Sequence, residues 1–229
     1  MMGFIYFLMI ALLGVSFLLQ YMLKSRFEKY SKIRIKSDLS GEDAARMMLR
    51  DNFITDVRVV SVEGRLTDHY NPLDKTINLS QDVYYGRNAA AIAVAAHETG
   101  HAVQHATQYA MLQMRSQMVP MVSFASNWMP WVLLGAIFTF NVFPALAVVA
   151  LTMMALTTLF SFITLPVEFD ASNRALAWIE NKGIASPDEF AMSKDALFWA
   201  AMTYVVAALS SLVTLVYYGL RFFGGSRRD

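Results

Sequence analysis

The chain of 229 residues contains no cysteine. That excludes a disulfide framework and any thiolate metal site, so a bound metal must use histidine or carboxylate ligands. Charge is scarce: 16% of residues are Asp, Glu, Lys or Arg, against 56% hydrophobic. It is also missing from whole stretches. Ser116 to Val167 holds no Asp, Glu, Lys, Arg or His, and neither does Ala196 to Leu220. Both runs exceed the roughly 20 residues needed to cross a bilayer, which predicts an integral membrane protein. The net charge of +1 decides little beside the placement of charge along the chain. There is no internal repeat and no low-complexity segment.

Against that background one stretch stands out, Ala89 to Ala106, reading AAAIAVAAHETGHAVQHA. It is alanine-rich, free of proline and preceded by Asn88, a suitable N-cap, so it predicts a helix. Its centre, His97-Glu98-Thr99-Gly100-His101, is an H-E-x-x-H motif. Residues four apart share a helix face, so His97 and His101 can aim imidazoles at one metal ion while Glu98 acts as general base. That is the arrangement of a zinc hydrolase, with zinc as the expected cofactor. Gly100 costs such a helix roughly 1 kcal/mol relative to alanine, which predicts a close approach to its backbone. His105 lies on the same face. At about 1.5 Å of rise per residue it stands roughly 12 Å along the axis from His97, too far to share an ion. Nor is the spacing that of H-E-x-x-H-x-x-G-x-x-H sites. A packing or hydrogen-bonding role is expected for His105.

The first apolar run, Gly3 to Met22, has the length of a span. No basic residue precedes it and no small-x-small cleavage pattern closes it, so an uncleaved transmembrane helix is expected over 1–22. Lys24, Arg26, Lys29, Lys32, Arg34 and Lys36 follow at once and mark the cytoplasmic side. Residues 23–117 read as a soluble, mixed domain. Ser40-Gly41-Glu42-Asp43 is a capping box opening a helix to about Asp51, with Ala44, Met47 and Met48 facing in. Strands are expected at Val57–Val62, Arg65–Tyr70 and Thr76–Leu79, then a linker containing Gly86. Residues 118–165 form a hairpin of two spans, Met118–Phe138 and Val142–Ile163, turning at Asn141–Pro144. Residues 166–195 carry a helix over 167–181, with Pro166 at its start or kinking the end of the span and Lys182-Gly183 ending it. A fourth span occupies 196–220, and a short basic tail, 221–229, holds Arg221, Arg227 and Arg228.

A catalytic zinc normally takes three protein ligands and leaves one position for water. His69 and a downstream carboxylate are the candidates for the third. Glu168 is the better one, because it follows a long charge-free run and opens a helix bearing the small residues Ala171 and Ala175. The competing reading is that Glu168 merely suits the positive end of a helix dipole.

Three segments carry a resemblance: Gly64 to Pro72 (GRLTDHYNP), Ala95 to Ala106 (AAHETGHAVQHA) and Leu165 to Ser172 (LPVEFDAS). With the order of spans, they make the chain similar to the YugP-type family of bacterial membrane zinc metallopeptidases. The resemblance implies a gluzincin-like site, with His97, His101 and Glu168 as zinc ligands and Glu98 as base. It also implies an α+β membrane protein, in which four transmembrane helices accompany a small zincin-like sheet-and-helix catalytic domain at the membrane surface. The location implied is the bacterial inner membrane. The carboxylate segment also resembles that of the CAAX-prenyl and heat-shock-type membrane proteases, which carry an aspartate four residues after the ligand glutamate. Here Ser172 stands at that position, and Asp170 would face elsewhere on an ideal helix.

The expected chemistry is metal-assisted peptide hydrolysis, Glu98 taking a proton from water and passing it to the leaving amine. His69, Tyr70 and Arg174 are candidate oxyanion donors. An edge strand near Arg65–Tyr70 suits an extended substrate. Expected partners are a peptide or protein substrate, membrane proteins among them, and the lipid bilayer. No nucleic-acid partner is expected, and the oligomeric state is open. A site-2-type intramembrane protease fits less well, since the apolar run before His97 is short and flanked by Asp82 and Arg87, while Asn71-Pro72-Leu73-Asp74 precedes the motif and lacks glycine. A zinc transporter would place ligands inside spans that here have none. A non-catalytic scaffold retaining a metal site differs from an enzyme only by activity.

Overall fold

The computed structural model describes residues 2–224. Its elements run in order α1 (Met2–Tyr30), α2 (Gly41–Asp51), β1 (Arg58–Val62), β2 (His69–Asn71), β3 (Thr76–Ser80), α3 (Gln81–Tyr84), α4 (Ala89–Ala106), α5 (Ala110–Thr139), α6 (Ala145–Lys182) and α7 (Pro187–Phe223). Four of the helices, α1, α5, α6 and α7, are long and apolar enough to cross a membrane. The chain divides into two units. One comprises the chain up to Leu19, Met114–Leu165 and the chain from Thr203; the other is Gln20–Gln113 with Pro166–Met202.

The first unit is built from apolar helices that meet through small residues. Ala136, Ala147 and Ala150 are fully buried, with Phe222 beside them. Small side chains let helix backbones approach closely, which supplies packing where lipid removes the hydrophobic drive between helices. Phe7, Phe17, Trp131 and Phe138 are exposed, a distribution suited to a hydrocarbon solvent rather than to water. The helices outrun the expected spans: α1 continues through Lys24, Arg26 and Lys29 to Tyr30, and α7 begins at Pro187.

The second unit has an ordinary core, in which Ile35, Met48, Ile77, Leu79, Ile92 and Ile179 are almost wholly buried. The expected capping box opens α2: Ser40 Oγ accepts from Asp43 N at 3.1 Å and Asp43 Oδ2 from Ser40 N at 3.0 Å. Ala44 and Met48 are buried and Met47 half-buried, as the pattern predicts. The three strands form one sheet in the order β1-β3-β2, with β1 parallel and β2 antiparallel to β3. The strand expected over Arg65–Tyr70 is displaced and short, covering His69–Asn71. Leu66 adopts φ of +58°, outside the extended region a strand requires. Asp68 instead turns its carboxylate onto Ser80 N and Oγ, at 2.7 and 3.0 Å.

Two helices bring the motif residues together. Asn88 caps α4 by accepting from Ala91 N at 2.9 Å, and most of α4 is buried, its first eight residues being only alanine, isoleucine and valine. The expected third span and the helix after it are one helix, α6, with Pro166 inside it. Proline removes one backbone bond, yet the helix runs on to Lys182, where Gly183 at φ +63° ends it. Gly100 of α4 faces the fully buried Ala171 of α6, with Ala175 one turn further on.

Candidate metal centre

The side chains of α4 and α6 converge in the second unit. His97 and His101, one turn apart, have ring centroids 4.8 Å apart and planes at 82°. Glu168 of α6 reaches between them: its Oε2 lies 3.3 Å from His97 Nε2 and 3.7 Å from His101 Nε2. One donor atom from each of the three falls within 4.8 Å of the others, and no second group of three such residues occurs among the described residues. Glu168 is 3% exposed, and Glu98 and His101 each 8%.

The outer nitrogens of both imidazoles are also engaged. His97 Nδ1 lies 3.1 Å from Ser172 Oγ. His101 Nδ1 lies 2.9 Å from Oε1 of the wholly buried Gln104. Asp170 touches neither imidazole. It reaches His101 at one remove, accepting from Gln104 Nε2 at 2.8 Å and from Arg174 Nε at 2.6 Å. Ligand histidines are commonly oriented this way, through the nitrogen that does not face the metal.

Electrostatics around His101 oppose one another. Burial works to lower its pKa, but the carboxylates of Glu168 and Glu98, with the Gln104 amide, outweigh burial and hold it above the ordinary imidazole range. A divalent cation satisfies the same carboxylates. Two imidazole nitrogens and one carboxylate oxygen, convergent and shielded, are the donor set of a catalytic zinc site that keeps one position open. The residues present fit that ion.

The remaining candidates stand apart from this cluster. His69 is exposed, and its Nδ1 lies 2.8 Å from the Thr67 carbonyl. Tyr70 pairs its hydroxyl with His105 Nδ1 at 2.7 Å, which gives His105 the hydrogen-bonding role expected of it. Burial, with a smaller contribution from Asp56, pushes the Tyr70 phenol up to about 12. Arg174 is held by Asp170 and lies over the Tyr109 ring, 5.9 Å from its centroid. Gln104 is the residue that sequence reasoning passed over. Its position three after His101, on the same helix face, is the signal that finds it.

A family model described as "Putative neutral zinc metallopeptidase" matches residues 5–223. The chain is 42% identical over 219 residues to "Putative membrane protease YugP" of Bacillus subtilis (strain 168), an alignment covering 96% of each protein. No solved structure matches. The relative's name and the four long apolar helices agree on a membrane protein. With nearly its whole length matched, the chain belongs to the family that this model describes, "Putative neutral zinc metallopeptidase".

Proposed function

We propose that the protein is a membrane-integrated zinc endopeptidase, with His97, His101 and Glu168 as zinc ligands and Glu98 as general base. The observation that carries this reading is the convergence of two imidazole nitrogens from α4, the helix that also bears Glu98, with one buried carboxylate oxygen from α6. Zinc supplies Lewis acidity when bound, acidifying water and polarising a carbonyl. The protein's own groups do the rest. His97 and His101 present Nε2 toward the common point, each with its Nδ1 held by a neighbour. Glu98 accepts the proton of the attacking water and returns it to the leaving amine nitrogen. Its burial keeps bulk water from competing for that proton.

The three-stranded sheet and α4 are read as a small zincin-like catalytic domain. β2 packs against α4 and has one unpaired edge. Such an edge binds an extended chain through backbone hydrogen bonds. Those hydrogen bonds run along the backbone and need no chain terminus, which favours cleavage within a chain. The substrate class is therefore an extended segment of a peptide or protein, membrane proteins included.

The site is assigned to the cytoplasmic side of a bacterial inner membrane. Six Lys or Arg residues lie from Lys24 to Lys36, directly after the first apolar run. Basic residues within about 15–20 positions of a span weigh most in setting orientation. Arg221 after the last apolar run votes the other way, as do Arg227 and Arg228, which lie outside the described residues.

The test is purified protein in detergent, assayed for metal by mass spectrometry and for cleavage of an unstructured protein such as casein. Stoichiometric zinc and chelator-sensitive cleavage are expected. Fully zinc-loaded protein that cleaves nothing would make the chain a metal-holding scaffold.

A further inference from the structure

Gln104 is wholly buried and touches both helices of the site. Its Nε2 donates to the Val167 carbonyl at 2.8 Å and to Asp170 Oδ2 at 2.8 Å, both on α6. A backbone carbonyl has no proton to offer, and Asp170, which also accepts from Arg174, is an acceptor as well. The amide can therefore face α6 only through its nitrogen. Its oxygen is left to face His101 Nδ1, 2.9 Å away. That acceptor holds a hydrogen on Nδ1; the opposite side of the ring meets a second acceptor, Glu168 Oε2, so the lone pair is on Nε2 once a cation rather than a proton stands between Nε2 and that carboxylate. Nε2 is the atom turned to Glu168 Oε2, at 3.7 Å.

His97 has no such constraint. Its partner, the Ser172 hydroxyl, can donate or accept, so it orients the ring without choosing between tautomers. The selection is made at His101 alone.

We infer that Gln104 is a positioning residue for the metal centre: it fixes His101 in the tautomer whose Nε2 can bind a metal and ties α4 to the residue preceding Glu168. One amide thus holds a ligand on each helix. Asp170 and Arg174 form the anchor behind it, with Arg174 resting on Tyr109. The inference rests on His101 and Glu168 being zinc ligands, and it explains how two ligands 67 positions apart in sequence are kept in register by a single neutral group.

Its test reads the tautomer directly. Solid-state ¹⁵N spectra of histidine-labelled, full-length Glu168→Ala protein in lipid vesicles, in which that carboxylate no longer competes for Nε2, are recorded metal-free, and the signals of neutral imidazoles are read. The chain has four histidines, assigned through single His→Gln variants at His69, His97 and His105. His101 is expected to carry its proton on Nδ1. Gln104→Leu, which keeps the volume and loses every hydrogen bond, is expected to mix the tautomers and weaken zinc binding by about 10–100-fold, the usual cost of losing such a partner. Gln104→Glu is expected to weaken it too, by setting two carboxylates together. Adding Asp170→Asn to Gln104→Glu supplies a donor again and is expected to recover most of the affinity with His101 protonated on Nδ1, the readout that a purely structural tie would not move. His101 protonated on Nε2 in the Glu168→Ala protein would overturn the inference, as would Gln104→Leu, in the otherwise wild-type chain, with zinc affinity within about twofold of wild type. If Gln104→Leu does not fold, the Glu168→Ala spectrum decides alone. If the wild type binds no zinc, the zinc reading falls, while the spectrum still decides whether Gln104 selects the tautomer.

Discussion

Gly100 and Ala171 meet so closely that a β-carbon on Gly100 would lie 2.7 Å from the Ala171 carbonyl oxygen and 3.2 Å from its Cα. The obstacle is backbone on both sides, so no side chain can swing away to make room. This contact sets how near Glu168, three residues before Ala171, comes to the histidines flanking Gly100.

Gly100→Ala therefore separates two effects of opposite sign. Alanine improves helix propensity by about 1 kcal/mol, whereas overpacking of this kind costs about 1–3 kcal/mol. The net expectation is a less stable protein that also binds zinc more weakly. Thermal unfolding and zinc titration check it. A variant that is more stable, with zinc affinity unchanged, would show that the approach of the helices is not limiting.

Ser172→Ala removes the partner of His97 Nδ1 and leaves the packing of α4 on α6 largely intact. Zinc affinity is expected to fall by about 10–100-fold, with melting temperature little changed in the metal-free protein. Competition against a chromophoric chelator measures it.

What the sequence reveals of this site, and what it conceals, follows the range of each interaction. The paired histidines, the base between them and the caps at Ser40 and Asn88 all depend on spacings of three or four residues, which a helix converts directly into proximity. Glu168 is legible for a different reason, as the first carboxylate after a long run with no charge at all. The Gln104 network is not legible in that way, because its partners Val167 and Asp170 lie 63 and 66 residues away. Local rules also mislead at two points. Pro166 reads as a helix start or as a kink ending the span, and the helix expected to start there is the continuation of α6. Arg65–Tyr70 reads as strand, but only its end is: Leu66 turns into the left-handed region and Asp68 is drawn to Ser80.

The choice of third ligand has its own test. Glu168→Ala is expected to lower zinc occupancy, because two imidazoles alone leave a catalytic site incomplete. His69→Ala, at an exposed histidine bonded to the Thr67 carbonyl, is expected to leave it unchanged. The reverse pattern, measured as zinc per chain, would move the ligand from α6 to β2.

Orientation in the membrane is open to a direct experiment because the chain has no native cysteine. Single cysteines are introduced near Lys32 and at the C-terminus, then labelled in intact cells with an impermeant reagent. Labelling at the C-terminus, with the Lys32 region protected, is expected. The opposite result would place the site on the outer face and show that the arginines at the end of the chain outweigh the cluster after the first span.

The account as a whole rests on Glu98 acting as a base beside a metal held by other residues, and one substitution isolates it. Glu98→Gln keeps the size of the side chain and both histidines while removing the proton acceptor. Zinc content and turnover are measured on the same purified sample. The prediction is zinc equal to wild type with turnover reduced by at least about 100-fold. Undiminished turnover at full zinc occupancy would contradict the assignment of this motif to peptide hydrolysis.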